Sequence, residues 1–254
     1  MPAPPPACTP RAACSGLLQW DMCSNYTPSA RDQFPAHFGV DPVSEADFEP
    51  EAYPSYMAPV IRLSPDTRDG VKKEAVPACF GMVPHWADLK LARHTYNARS
   101  ETVGSKPSFR HAYRRRQFCI IPAESIYEPC YESGKAVRWR IARADGKPLG
   151  LAGIWEFRPA GKGEPALLSF SMLTINADDH PLMQRFHRPE DEKRMVVVLR
   201  EDDYDSWLQA PLEQVPSFLT PYPAACLAAE PAPRPARPRG RNAPAPGQQS
   251  PSLF

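Results

Sequence analysis

Residues 22 and 23 read Met-Cys, and a cysteine that follows an initiator methionine gains a chemistry that no interior cysteine has. Its side chain is small enough for the methionine to be removed, which leaves Cys23 with a free α-amine beside its thiol. The amine titrates at about 7.7–8.0 and the thiol at about 8.5, so both are partly nucleophilic at neutral pH. Such a 1,2-aminothiol condenses with an aldehyde to an imine, and the sulfur then closes a five-membered thiazolidine. An amide-linked cysteine cannot follow, because its nitrogen is not basic. Twenty-one residues precede Met22, so the chemistry requires either a start at Met22 or removal of a leader.

Three other stretches carry groups that move protons or hold anions. "TYNARSET" contains Asn97, Arg99 and Glu101, and by pattern alone it also reads as a polar loop with an Asx-type turn. "CIIPAESIYEPCY" contains Glu124 and Glu128. Glu128 lies just past an apolar run, where burial favours a general acid or base, against the alternative of a solvated strand-end carboxylate. "DDHPLMQRFHRPEDEKRMVVVL" contains His180 and His187, seven residues apart and without the i,i+4 spacing of a zinc helix. Cys79, Cys119 and Cys130 sit among apolar neighbours and read as buried thiols. Residues 84–120 hold Lys90, Arg93, Arg99, Lys106, Arg110, Arg114, Arg115 and Arg116 against Asp88 and Glu101, a local charge of +6 in a chain whose formal net charge is +1. That asymmetry fits an anionic partner, nucleic acid first, or else a solvated helix face.

The elements that must position these groups are mostly strands. Candidates are "EAVPACFGMV", "QFCIIPAESIYE", "AVRWRIAR", "LGLAGIWEF", "ALLSFSMLTIN" and "RMVVVLR", several with the period-two alternation of half-buried strands. Helical patterns are shorter. "KPSFRHAYRRR" puts Phe109, Ala112, Tyr113 and Arg116 on one face with Pro107 near its start; "DDHPLMQRFH" has Asp cap candidates; "REDDYDSWLQ" is a third. No strand, Gly-rich loop and helix follow one another, so neither a Rossmann domain nor a P-loop is supported. The expectation is an α+β fold around a curved, barrel-like, mainly antiparallel sheet with a few short helices.

The 254 residues include 33 prolines clustered toward the ends and seven cysteines without a zinc-finger or C-x-x-C spacing. Residues 1–22 read as a disordered leader or mis-assigned start, 23–226 as the folded domain, and 227–254 as a disordered Pro/Ala/Arg-rich tail. No signal peptide and no apolar run of membrane-spanning length is present, which predicts a reduced, soluble, cytoplasmic protein.

Taken in order, Met22-Cys23, "CFGMVPHWAD", "YNARSET", "SFRHAYRRRQFCIIPAESIYEP", "LAGIWE", "TINADDHPLMQRFH" and "RMVVVL" resemble the SRAP family, SOS-response-associated proteins that process abasic sites in single-stranded DNA. The resemblance spans about residues 22–220 and implies a fold that agrees with the pattern reading. It implies that Cys23, as mature N-terminus, attacks the ring-opened sugar aldehyde and forms a thiazolidine DNA–protein crosslink. Asn97 would hydrogen-bond the N-terminus and sugar, Arg99 would hold a phosphate, and Glu128 would shuttle protons. His187 would protonate the departing ring oxygen or steady a phosphate, with His180 as second choice because the "RPEDEK" insertion shifts the alignment. Phe80 and Trp86 would offer stacking surfaces or else belong to the core, with Tyr127 a third surface, and Arg110 and Arg114 would offer charge to the strand. Phe80 and Pro129 stand where the family has tryptophan, which removes aromatic area beside the DNA. No cofactor, metal or membrane is implied. The expected partner is single-stranded DNA carrying abasic sites, bound by a monomer that is nucleoid-associated when on DNA. Two alternatives remain: a thiol autopeptidase that removes its own leader before Cys23, and a non-catalytic single-stranded DNA binder, indifferent to the lesion.

Overall fold

The computed structural model describes residues 24–43, 48–65, 72–161, 163 and 165–234; Cys23 lies outside them. Eleven strands form one sheet: β1 (Tyr26–Pro28), β2 (Met57–Leu63), β3 (Lys73–Phe80), β4 (Asn97–Arg99), β5 (Phe118–Cys130), β6 (Val137–Arg143), β7 (Leu149–Arg158), β8 (Leu167–Asn176), β9 (Arg194–Val196), β10 (Val198–Leu199) and β11 (Leu227–Pro231). Among the described residues three short α-helices accompany it, α1 (Arg110–Arg114), α2 (Tyr204–Gln209) and α3 (Val215–Phe218), along with short π and 3-10 turns.

The sheet curls on itself. β2 pairs with β3, β3 with β8, β8 with β7, β7 with β5, and β5 returns to β2, so these strands form a closed ring. Most pairings are antiparallel, while β3–β8 and β4–β8 are parallel. The expected α+β barrel-like core is therefore present. Closure follows from β5, whose 13 residues pair first with β2 and β7 and then with β1 and β6. Its near-continuous apolar run is the pattern of a strand covered on both faces. Trp207 of α2 seals one side, its indole N–H donating to Cys119 O at 2.9 Å and its ring 4.5 Å from that of Phe118. Gly81 ends β3 at φ +109°, and a Cβ there would stand 2.1 Å from Ala92 O, so only glycine fits the turn.

Several elements differ from the sequence reading. The helix expected over 106–116 shrinks to α1, because turns occupy the residues after Pro107 and Arg116 adopts φ 55°, which ends it. "DDHPLMQRFH" makes a single 3-10 turn, Met183–Arg185, and its cap is His180 rather than an aspartate: Nδ1 accepts from the N–H groups of Leu182 and Met183. "NARSET" opens as β4, not as a loop, because β8 offers it a parallel edge. At the C-terminus, Leu227–Pro231 falls in the stretch whose composition reads as tail, yet it forms β11 on the open edge of β6.

Candidate active site

β5 places Glu128 opposite Trp139 of β6, with its carboxyl turned inward and the residue 2 % exposed. His187 approaches from the segment after the 3-10 turn. It sits at a left-handed φ of 65°, and its backbone N–H donates to Pro129 O at 2.8 Å, which pins it beside the end of β5. Its Nε2 lies 3.0 Å from Arg194 O. A carbonyl only accepts, so Nε2 carries the proton and Nδ1 presents its lone pair. That lone pair faces Glu128 Oε2 at 3.8 Å, ion-pair range but longer than a hydrogen bond. Burial pushes the His187 pKa below its ordinary value, with the Arg194 carbonyl bond opposing. The arrangement is a buried carboxyl and a neutral imidazole in position to exchange a proton.

Glu128 opens into a cavity of about 160 Å³ lined by Ser24, Asn25, Tyr127, Pro129, Ala136, Arg138 and Arg234. Its wall is braced by one carboxylate, Glu51. Asn25 Nδ2 donates to Glu51 Oε2 at 3.0 Å, Tyr53 Oη donates to the same oxygen at 2.5 Å, and the Arg138 guanidinium pairs with it at 2.7 Å. Burial raises the Glu51 pKa, but the hydrogen bonds of Tyr53 and Arg138 and the charges of Arg138 and Arg234 outweigh it and hold the group below the usual carboxylate range. Burial and the Glu51 bond together push Tyr53 up to about 12. Arg138 also lies over the Tyr127 ring at 3.4 Å, and Thr27 Oγ1 shares a hydrogen bond with the Tyr127 hydroxyl at 3.0 Å. The chain directly after Cys23 is thus fixed: Tyr26 and Ala52 exchange backbone hydrogen bonds, and Tyr127 N donates to Asn25 O.

The "NARSET" segment reaches the same region through Arg194. Glu101 grips the Arg194 guanidinium with both oxygens at 2.9 Å, and the guanidinium also donates to Glu192 and to Thr174 O. Arg194 is 2 % exposed, and its bond holds the Glu101 pKa below the usual range. Asn97 and Arg99 stand on β4 in register with Met172 and Thr174 of β8, and Arg99 pairs with Glu192 at 2.7 Å. The residue whose guanidinium anchors this segment is therefore the one whose carbonyl sets the His187 tautomer.

The other sequence candidates divide. Cys23 lies outside the described residues. Trp86 is 58 % exposed, as a stacking surface requires. Phe80 is 0 % exposed and cannot stack on a base: β3 pairs with β8 at Phe80–Phe170, turning the ring inward against Phe170 at 5.2 Å and Tyr26 at 5.4 Å. His180 is committed to capping, and its Nε2 donates to Tyr222 O at 2.7 Å. Arg110 and Arg114 are exposed on α1, and so are the other six cations of the basic segment. Apart from Arg99, none of them forms an ion pair among the described residues. The sequence alone singles out none of the bracing residues Asn25, Glu51, Tyr53, Arg138, Arg194 and Arg234 as a site residue. Arg138 alternates with Trp139 in a way that signals a strand, but nothing in that alternation says what its outward side meets.

The family model for SOS response associated peptidase (SRAP) matches residues 22–234. Abasic site processing protein YoqW of Bacillus subtilis is 30% identical over 212 residues, covering 80% of this chain and 88% of that one. Abasic site processing protein YoaM of the same organism is also 30% identical over 212 residues, with 80% and 87% covered. Among solved structures, a protein from Bordetella bronchiseptica superposes with a TM-score of 0.74 at 41% identity, covering 83% of this chain and 99% of that one. A Bacteroides thetaiotaomicron protein at 22% identity shares the fold with a TM-score of 0.69, covering 82% and 90%. Among the described residues no helix is long and apolar enough to cross a membrane.

Proposed function

This chain belongs to the SOS response associated peptidase (SRAP) family, and from that premise we propose that it processes abasic sites in DNA by bonding covalently to them through Cys23. The observation that carries the reading is the cavity in which Ser24 and Asn25, the residues directly after Cys23, meet Glu128 with His187 behind it. An abasic site is a masked aldehyde, so its ring must open before a nucleophile can add. Glu128 in its acid form, or His187 once its Nδ1 has taken up a proton, donates to the departing ring oxygen. The Cys23 amine then adds to the carbonyl carbon, Glu128 moves the proton that lets water leave, and an imine forms. The thiolate adds to the imine carbon and closes the thiazolidine. One water is lost overall, nothing is oxidised or reduced, and no cofactor is required. Asn97 orients the N-terminus and sugar, and Arg99 holds a phosphate. The exposed cations of residues 84–120 draw in the single strand, with Trp86 as a base-stacking surface.

The test uses a chain that starts at Met22 and a single strand whose uracil has been excised. A heat-stable adduct is expected, with the mass of protein plus DNA less one water and with the bond at Cys23. Cys23→Ala abolishes it, and Glu128→Gln slows it by roughly 10²-fold. Full yield from Cys23→Ala would end the proposal.

A second activity is favoured by the same placement. The Met22–Cys23 bond lies one residue ahead of Ser24, which lines the Glu128 cavity, so that proton-transfer pair also suits hydrolysis of the leader. The chain starting at Met1 should then lose residues 1–22 on incubation, and Glu128→Gln should retain them. If both chains keep the leader, self-cleavage is excluded and Cys23 must be exposed by another route.

A further inference from the structure

A carboxylate of this chain already occupies Arg99. Arg99 Nη1 pairs with Glu192 Oε2 at 2.7 Å, and the other oxygen of Glu192 accepts from Arg194 Nη1 at 2.8 Å and from Asn176 Nδ2 at 3.3 Å. One anion thus bridges two guanidiniums that differ in exposure. Arg194 is buried and also keeps both oxygens of Glu101, whereas the side chain of Arg99 is 50 % exposed and that of Glu192 37 %. An ion pair so open to water is weak, and an incoming anion can displace it. The Arg194 bond holds the Glu192 pKa below the usual carboxylate range, so the group stays ionised at neutral pH. The backbone builds this placement. Arg99 stands opposite Thr174 and Arg194 opposite Asn176, which brings both to the end of β8. Glu192 lies in "RPEDEK", the segment that leads into β9 and interrupts the motif resemblance. Asp191 N donates to Arg188 O at 3.1 Å, closing a turn around Pro189. Lys193 N donates to Asp178 Oδ1 at 2.8 Å, Lys193 O accepts from Ala177 N at 2.7 Å, and Lys193 Nζ donates to Arg188 O. The segment is fastened on both sides of Glu192.

We propose that Glu192 guards Arg99: its carboxylate stands in for a phosphate of the DNA strand, and the strand must displace it before Arg99 can bind. This rests on Arg99 being a phosphate contact, as in the proposed function. Displacement leaves Glu192 on Arg194 and Asn176, so the segment keeps its fold. The cost is the same for any anion, and a strand that also meets the exposed cations of residues 84–120 offsets it where an isolated phosphate does not. The guard acts on binding, before any bond to Cys23 forms.

The measurement is equilibrium binding of the full chain to a single strand carrying a tetrahydrofuran abasic analogue, which has no aldehyde and cannot crosslink. Glu192→Gln is expected to bind about fivefold more tightly, the affinity that the displaced ion pair withholds. Arg99→Ala is expected to bind about tenfold more weakly than the parent, as for loss of one charge-assisted bond. Adding Glu192→Gln to Arg99→Ala changes nothing further, because no guanidinium is left to release. Glu190→Gln removes the same charge two residues earlier in the segment and leaves affinity at the parent value. Parent affinity from Glu192→Gln, with Arg99→Ala weakened, would overturn the guard and leave Arg99 as a phosphate contact. A gain that persists in the Arg99→Ala background, or an equal gain from Glu190→Gln, would also overturn it, since either marks general repulsion between the segment and the strand. Undiminished binding by Arg99→Ala would refute the phosphate contact itself, and the guard with it. No bond to Cys23 forms on this strand, so each outcome is read apart from the covalent reading.

Discussion

His187 is held in one tautomer by a backbone carbonyl and turned toward Glu128 by a left-handed backbone that an L side chain rarely adopts. This has a consequence for stability. The unfolded histidine titrates near its ordinary 6.5, and burial lowers the folded value. As pH falls through 6.5 the unfolded chain takes up a proton that the folded chain refuses, so this group removes stability down to the folded pKa and adds no further change below it. The melting temperature of the parent chain is therefore expected to fall toward that of His187→Gln between pH 7.5 and pH 5. A gap that widens as pH falls would show that the imidazole is favoured in its charged form. Glu128 and His187 were both legible as residue types, one past an apolar run and the other inside an ordered motif. Their approach was not, since it depends on the Pro129–His187 backbone bond between segments far apart in sequence.

At the scale of elements, β4, β8 and β9 form a layer fastened by Arg194, a buried cation compensated by two partly exposed carboxylates. Glu101→Gln or Glu192→Gln alone leaves a partner in place and is expected to cost about 1 kcal/mol. Removing both strands the guanidinium away from water and from any anion, a loss of about 3 kcal/mol or more. The pair should therefore be more than additive in urea unfolding, and simple additivity would mean that solvent already reaches Arg194. The same layer shows where pattern reading stops. β5, β6, β7 and β8 announce themselves because their apolar runs or alternation are intrinsic. Asn-Ala-Arg has no such pattern, and β4 exists because β8 supplies a parallel partner. β2 is likewise hidden in the sequence: Pro59 argues against a strand, but it faces Pro77 of β3, where neither ring is asked for a donor. The motif leaves Phe80 open between a stacking surface and the core, and its neighbours across the barrel decide for the core.

For the whole molecule, ring closure joins β2, β3, β8, β7 and β5, and β6 lies outside that ring with a long outer edge to cover. Its outer edge is paired from Arg143 to Trp139 by Leu227–Pro231, a segment whose Pro- and Ala-rich composition conceals it because its partner lies 84 or more residues earlier. β11 is itself short and carries Glu230 and Pro231, features that discourage a further strand from adding. A chain ending at Cys226 exposes the hydrogen-bonding groups of β6 and loses the packing of Leu227 and Ala229 against the core. We expect a loss of about 2 kcal/mol, or roughly 4–8 °C in Tm, together with concentration-dependent association in sedimentation as bare β6 edges pair. A chain ending at Arg234 keeps β11 and is expected to melt with the full chain and to sediment as a monomer. If both truncations behave alike, β11 contributes nothing to the sheet. If only the shorter one fails, the fold extends through the residues that bring Arg234 to the cavity, and the edge strand belongs to the structure that holds the site.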